Sequence, residues 1–149
     1  MAEITATLRW QGGLHFTGMN QAGLHTSLDG NRTHGASPMD LLLEAVGACA
    51  AIDVVIILEK QRMPPVKFEI SLTGARHMPE PGYFTEVTAN FDLWGEGLGG
   101  DKVARAIALS FAKYCSVFHS LRKDLALTAQ YRLHASGAAA AGEYHKVVL

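Results

Sequence analysis

The sequence predicts an α+β domain with antiparallel strand pairing. Three short alternating segments precede a long apolar helix, and two strands, a second helix and a last strand follow it, so strands and helices come in separate runs. A further observation excludes the main rival, a doubly wound nucleotide-binding sheet. No G-x-G-x-x-G both follows a strand and opens a helix, and the glycine-rich run at residues 95–100 reads as a hinge after a charged turn.

The elements follow in order. Ile4, Ala6 and Leu8 alternate with Thr5, Thr7 and Arg9, so residues 2–10 form a strand with one apolar face. Gly12-Gly13 punctuates it as a turn. Residues 14–19 and 24–28 are the second and third strands of an N-terminal meander. After a polar loop, Ser37-Pro38 is an N-cap followed by proline at the first helical position, with Asp40 complementing the helix dipole. This helix runs to about Gln61 and stops before Met63-Pro64-Pro65. Between Leu41 and Leu58 its apolar residues cover nearly every face, which predicts a buried central helix with part of its surface against a second subunit.

Residues 66–74 alternate Val66, Phe68, Ile70 and Leu72 against Lys67, Glu69, Ser71 and Thr73, a strong strand signal. A loop with two prolines leads to another strand at 84–93. Asp101 caps a second helix, expected to continue to about Leu121, with Val103, Ile107, Ser110, Phe111, Tyr114 and Phe118 as its core stripe. Residues 125–133 alternate again as a last strand. Residues 135–149 begin as low-complexity Ala/Gly and read as a mobile C-terminal tail.

A chain of 149 residues suits one domain, 1–149, and can bury a sizeable core without staples. Hydrophobic residues make up 48% and charged residues 18%, which argues against disorder, and a net charge of −1 provides no basic field for a nucleic-acid backbone. Residues 1–10 lack the apolar core of a secretory leader, and Glu44 and Asp53 interrupt the apolar helix with charges that are costly in a bilayer. The expectation is a cytoplasmic protein with no membrane or nucleic-acid partner. Two cysteines do not make a disulfide scaffold, and their separation fits no local zinc pattern. Seven scattered histidines show no i, i+4 pair on a helix, so neither a metal nor a cofactor is expected.

Three segments carry a resemblance: Gly35-Ala36-Ser37-Pro38-Met39-Asp40-Leu41-Leu42-Leu43, then Gly47-Ala48-Cys49-Ala50-Ala51-Ile52-Asp53, then Lys113-Tyr114-Cys115-Ser116-Val117 on a later helix. Together with the element order they resemble the OsmC/Ohr family over roughly residues 3–134, in a form closer to a separate OsmC-like branch than to the well-defined Ohr or OsmC branches. The resemblance implies an OsmC-like fold, in which antiparallel sheets wrap around long central helices in an intertwined homodimer. It also implies a reaction. Cys49 attacks an organic hydroperoxide and becomes a sulfenic acid, Cys115 resolves it, and a dithiol reductant, often of the lipoamide type, restores the pair.

The chemistry requires Cys49 as a thiolate, because the thiol is a poor nucleophile. Asp53, four residues on, shares its helix face and opposes that charge, so a cation must compensate. Arg32, in the loop before the helix, is preferred over Arg9; Arg32, Asp53 and Asp40 are the candidate thiolate-tuning residues. The better-known branches of the family place a glutamate directly after the loop proline, where it orients an arginine from the turn after the first strand. Here Met39 occupies the glutamate position, Asp40 follows it, and that turn reads Gly12-Gly13-Leu14-His15, so neither role is carried over. These departures motivate an alternative: a non-catalytic OsmC-like binder of a small apolar ligand in the dimer cavity.

Overall fold

The computed structural model describes residues 2–149 and shows a mixed α+β chain with two sheets. The chain forms two compact units, Met1–Leu42 and Leu43–Leu149.

In the first unit, β1 (Ala6–Trp10), β2 (His15–Asn20) and β3 (His25–Asp29) form an antiparallel meander. The first strand starts four residues later than the alternation suggested. Register pairs Leu8 with Gly18 and Phe16 with Leu28, which puts Leu8, Trp10, Phe16 and Leu28 on one face, as period-2 alternation requires. That face is not closed: Leu8 and Trp10 are 61% and 63% exposed.

Helix α1 (Pro38–Lys60) starts where predicted. Ser37 Oγ accepts the Asp40 backbone N–H at 3.2 Å, and Asp40 Oδ2 accepts the Ser37 backbone N–H at 2.9 Å, a reciprocal capping box. Further along, only one stripe of the helix is buried: Val46, Gly47, Ala50, Val54 and Leu58. The expected burial is met along this stripe, which one sheet covers; Ile52 is 59% and Ile56 45% exposed, on the part of the surface expected to face a second subunit. By length and composition α1 could cross a bilayer, yet that buried stripe belongs to a protein core.

The second unit holds the main core. β4 (Lys67–Arg76), β5 (Phe84–Trp94), β6 (Ala126–His134) and β7 (His145–Lys146) form a sheet in that order. Phe68, Ile70 and Leu72 face inward from β4, as their alternation predicted. Gly47 lets α1 approach this sheet closely, since a Cβ there would collide with the Leu72 side chain.

Purely antiparallel pairing is an expectation that needs correction: β5 and β6 are parallel. The chain leaves β5, crosses through the helical segment and re-enters at the same end, which forces parallel alignment. The crossover itself is not one helix to Leu121. α2 (Gly100–Leu109) passes into a π-helical turn at Ser110–Tyr114, Cys115 breaks the run with extended backbone (φ −72°, ψ 91°), and α3 (Ser116–His119) follows. The helix also starts one residue before its predicted cap. Gly99 is the N-cap, and Asp101 lies in the first turn, where its charge suits the dipole.

The predicted free tail is docked instead. Trp94 Nε1 donates to the Ala138 carbonyl at 2.7 Å, Tyr144 Oη to Asp92 Oδ2 at 2.6 Å, and Val147 N to the Ala129 carbonyl at 2.9 Å. The physical reason is β5. It is buried on both faces from Phe91 to Trp94, and residues after 134 supply partners for its outer face. Asp92 is the hub, also accepting from Arg132 at 2.7 Å and His134 at 2.8 Å.

Candidate functional site

Two free thiols lie in the second unit, Cys115 in its apolar core cluster and Cys49 packed against it. Cys49 lies on α1, half-buried and flanked by the small residues Ala48 and Ala50. Cys115 has no exposed surface. It sits at the exit of the π-helical turn, where its N–H donates to the Ser110 carbonyl at 2.7 Å, the i to i−5 bond that defines such a turn. In a regular α-helix five residues would rotate Cys115 about 140° away from Ser110. The bulge and the break after it let Ser110, Phe111 and Cys115 all be buried.

Cys115 Sγ donates to the carbonyl of Val46 at 4.0 Å, one turn before Cys49 on α1, and Cys49 packs against the same apolar core cluster that holds Cys115. Burial pushes the Cys115 thiol up to about 12, and the neighbouring Cys49 and the Asp53 charge push the same way, while the Phe118 backbone N–H opposes them. Cys115 therefore keeps its proton at neutral pH and donates it to the Val46 carbonyl.

Asp53 belongs to the same cluster. Ser110 Oγ, fully buried, donates to Asp53 Oδ2 at 2.7 Å. Sequence reasoning counted Ser110 only as part of a core stripe; its one signal was a hydroxyl standing among apolar residues at helical spacing.

Arg32 and Asp40 meet each other in the first unit. Arg32 Nε and Nη2 donate to the two Asp40 oxygens at 2.6 and 3.0 Å. The Arg32 guanidinium, with Ser37, holds the Asp40 carboxyl well below the usual carboxylate range. Arg32 itself has φ 54°, uncommon for a residue with a side chain, and its N–H donates to the Asp29 carbonyl at 3.1 Å. Sequence reasoning treats these two as separate tuning candidates. In the fold Asp40 both caps α1 and fixes the arginine.

Comparison with known proteins agrees with this architecture. Residues 29–130 match the family described as OsmC-like protein. Protein YhfA of Escherichia coli strain K12 is 41% identical over 134 residues, 89% of this chain and all of that protein. A crystal structure of a protein from Aquifex aeolicus VF5 superimposes with a TM-score of 0.83 at 25% identity, covering 91% of this chain and 99% of that one. The organic hydroperoxide resistance protein OhrB of Bacillus subtilis shares the fold, with a TM-score of 0.56 at 17% identity over 91% of this chain and 98% of its own.

Proposed function

The chain belongs to the OsmC-like protein family, and from that premise we propose that it is a thiol-dependent peroxidase acting on organic hydroperoxides. The observation that carries this reading is that Cys115, fully buried and with its Sγ 4.0 Å from the Val46 carbonyl one turn before Cys49, shares a core cluster with Cys49. In the first step the Cys49 thiolate attacks the distal oxygen of the hydroperoxide. The O–O bond breaks, the alkoxide leaves and takes up a proton as an alcohol, and Cys49 becomes a sulfenic acid. Cys115 then displaces the hydroxyl as water and the two sulfurs form a disulfide. An external dithiol, of the lipoamide type, reduces it by thiol–disulfide exchange. Arg32 and Asp40 pair with each other in the first unit, and Asp40 fixes the guanidinium there. The working site is one OsmC-like domain within a cytoplasmic homodimer, supported by the free thiols and by the open apolar faces of α1 and the meander.

The test is intact-mass analysis after one equivalent of an organic hydroperoxide. Loss of two hydrogens, abolished in Cys49→Ser, supports the reading; an unchanged mass sinks it. One observation favours a second reading. A groove of about 370 Å³ lined by Ala48, Ala51, Ile52, Val55 and Ile56 is wholly apolar, as a non-catalytic binder of a small apolar ligand needs. Under that reading Cys49→Ser changes nothing and an apolar molecule co-purifies.

A further inference from the structure

The second half of this thiol cycle poses a proton problem. The reaction Cys49–SOH + HS–Cys115 → Cys49–S–S–Cys115 + H₂O forms one S–S bond while the Cys49 S–O and Cys115 S–H bonds break. The attacking sulfur must lose a proton, and the departing hydroxyl must gain one. No outside oxidant or reductant enters, so a single group that accepts the first proton and delivers it to the second atom suffices. Water does this poorly where one thiol has no exposed surface.

Asp53 is tied to both reacting residues. It follows Cys49 by one helical turn on the same face of α1. Its Oδ2 receives the Ser110 hydroxyl, and the Ser110 carbonyl receives the Cys115 N–H, so the carboxylate is anchored to the turn that carries the second thiol. Its other oxygen, Oδ1, accepts no hydrogen bond among the described residues and is available for a proton. The charged and titratable groups acting on Cys115 are Cys49 and Asp53. His119, on the following helix, spends its Nε2 on the Phe111 carbonyl at 2.9 Å.

Resting on the peroxidase reading above, we propose that Asp53 is the proton carrier of the resolving step, moving a proton from Cys115 to the hydroxyl that leaves Cys49. This gives the carboxylate a use that offsets its cost to the first step, where its charge opposes the Cys49 thiolate. Ser110 is the positioning residue that holds it.

The experiment is a single turnover of the full chain with one equivalent of cumene hydroperoxide, in wild type, Asp53→Asn and Ser110→Ala. Dimedone labelling of quenched samples times the Cys49 sulfenic acid, and intact mass times the disulfide. In Asp53→Asn the amide oxygen still accepts the Ser110 hydroxyl, so the local fold is kept. The expected result is sulfenic acid formation at least as fast in Asp53→Asn as in wild type, with disulfide formation slowed at least about tenfold near pH 7. In that variant the slow step should climb roughly tenfold per pH unit, because hydroxide must now generate the thiolate, whereas the wild-type slope is shallower. Ser110→Ala should slow the step less and keep the wild-type slope, and Asp53→Glu should restore the shallow slope. A merely structural role would change rates without changing the slope. An Asp53→Asn variant that forms disulfide at the wild-type rate and slope overturns the proton carrier while leaving the peroxidase intact. If no sulfenic acid forms in any of the proteins, the thiol cycle falls and the carrier with it.

Discussion

At the scale of single residues, the decisive contrast is between two cysteines of identical chemistry. One is half-buried on a helix with small neighbours; the other has no exposed surface and lies beside a second sulfur and a carboxylate. Desolvation disfavours the charged form of the buried one. In native protein near pH 8, iodoacetamide should therefore label Cys49 at least about a hundredfold faster than Cys115, with Cys115 reacting readily only after unfolding in guanidinium. Peptide mapping by mass spectrometry reads the result, and equal labelling of the two would contradict the assigned order. Both cysteines were legible from the sequence as candidates. That Cys115 is the fully buried one was not, because burial depends on packing between residues far apart along the chain.

At the scale of elements, the segment after β6 is held by Asp92. Burial raises the carboxyl, but hydrogen bonds from Arg132, Tyr144 and His134 outweigh it and hold it at about 2. A folded-state value below the ordinary 3.8 means that Asp92 adds stability above about pH 4, and that this is lost as pH falls through about 2. The contribution is roughly 2 kcal/mol. Urea unfolding of wild type and Asp92→Asn at about pH 6 and about pH 2.5 should show wild type losing more stability, by roughly 1.5 kcal/mol, since part of the contribution persists until pH falls below the folded value. Parallel losses in the two proteins would show that Asp92 is not the group responsible. The composition of residues 135–142 suggested a free tail, since Ala and Gly carry no packing signal of their own. The anchors lie elsewhere, in Trp94, Asp92 and Arg132, and no local pattern announces them. The parallel pairing of β5 and β6 was within reach of sequence reasoning, because a strand–helix–strand order already favours it.

At the scale of the whole molecule, α1 presents Ile52 and Ile56 to solvent, and the meander does the same with Leu8 and Trp10. Monomeric proteins rarely leave large contiguous apolar surfaces open. A homodimer that covers the α1 face should be weakened by Ile52→Glu with Ile56→Glu. Losing two buried isoleucines costs about 3 kcal/mol or more, a hundredfold or greater loss of dimer affinity. Sedimentation equilibrium would show the wild type as a dimer and the double variant shifted to monomer. A wild type that stays monomeric at high micromolar concentration would leave the open face to another occupant.

The sequence by itself determined the α+β class, the capped start of α1, the alternation of β4, the family and the two cysteines. These depend on local periodicity, cap chemistry and a motif confined to neighbouring residues. Only the tertiary structure decided which face of α1 is covered, that the second helix breaks at a π-helical turn, that Ser110 holds Asp53, that Asp40 holds Arg32, and that the last residues dock on β5. Each of these is a pairing between groups separated along the chain. Burial and hydrogen-bond partners come into being only when distant segments pack, so no window of sequence contains them.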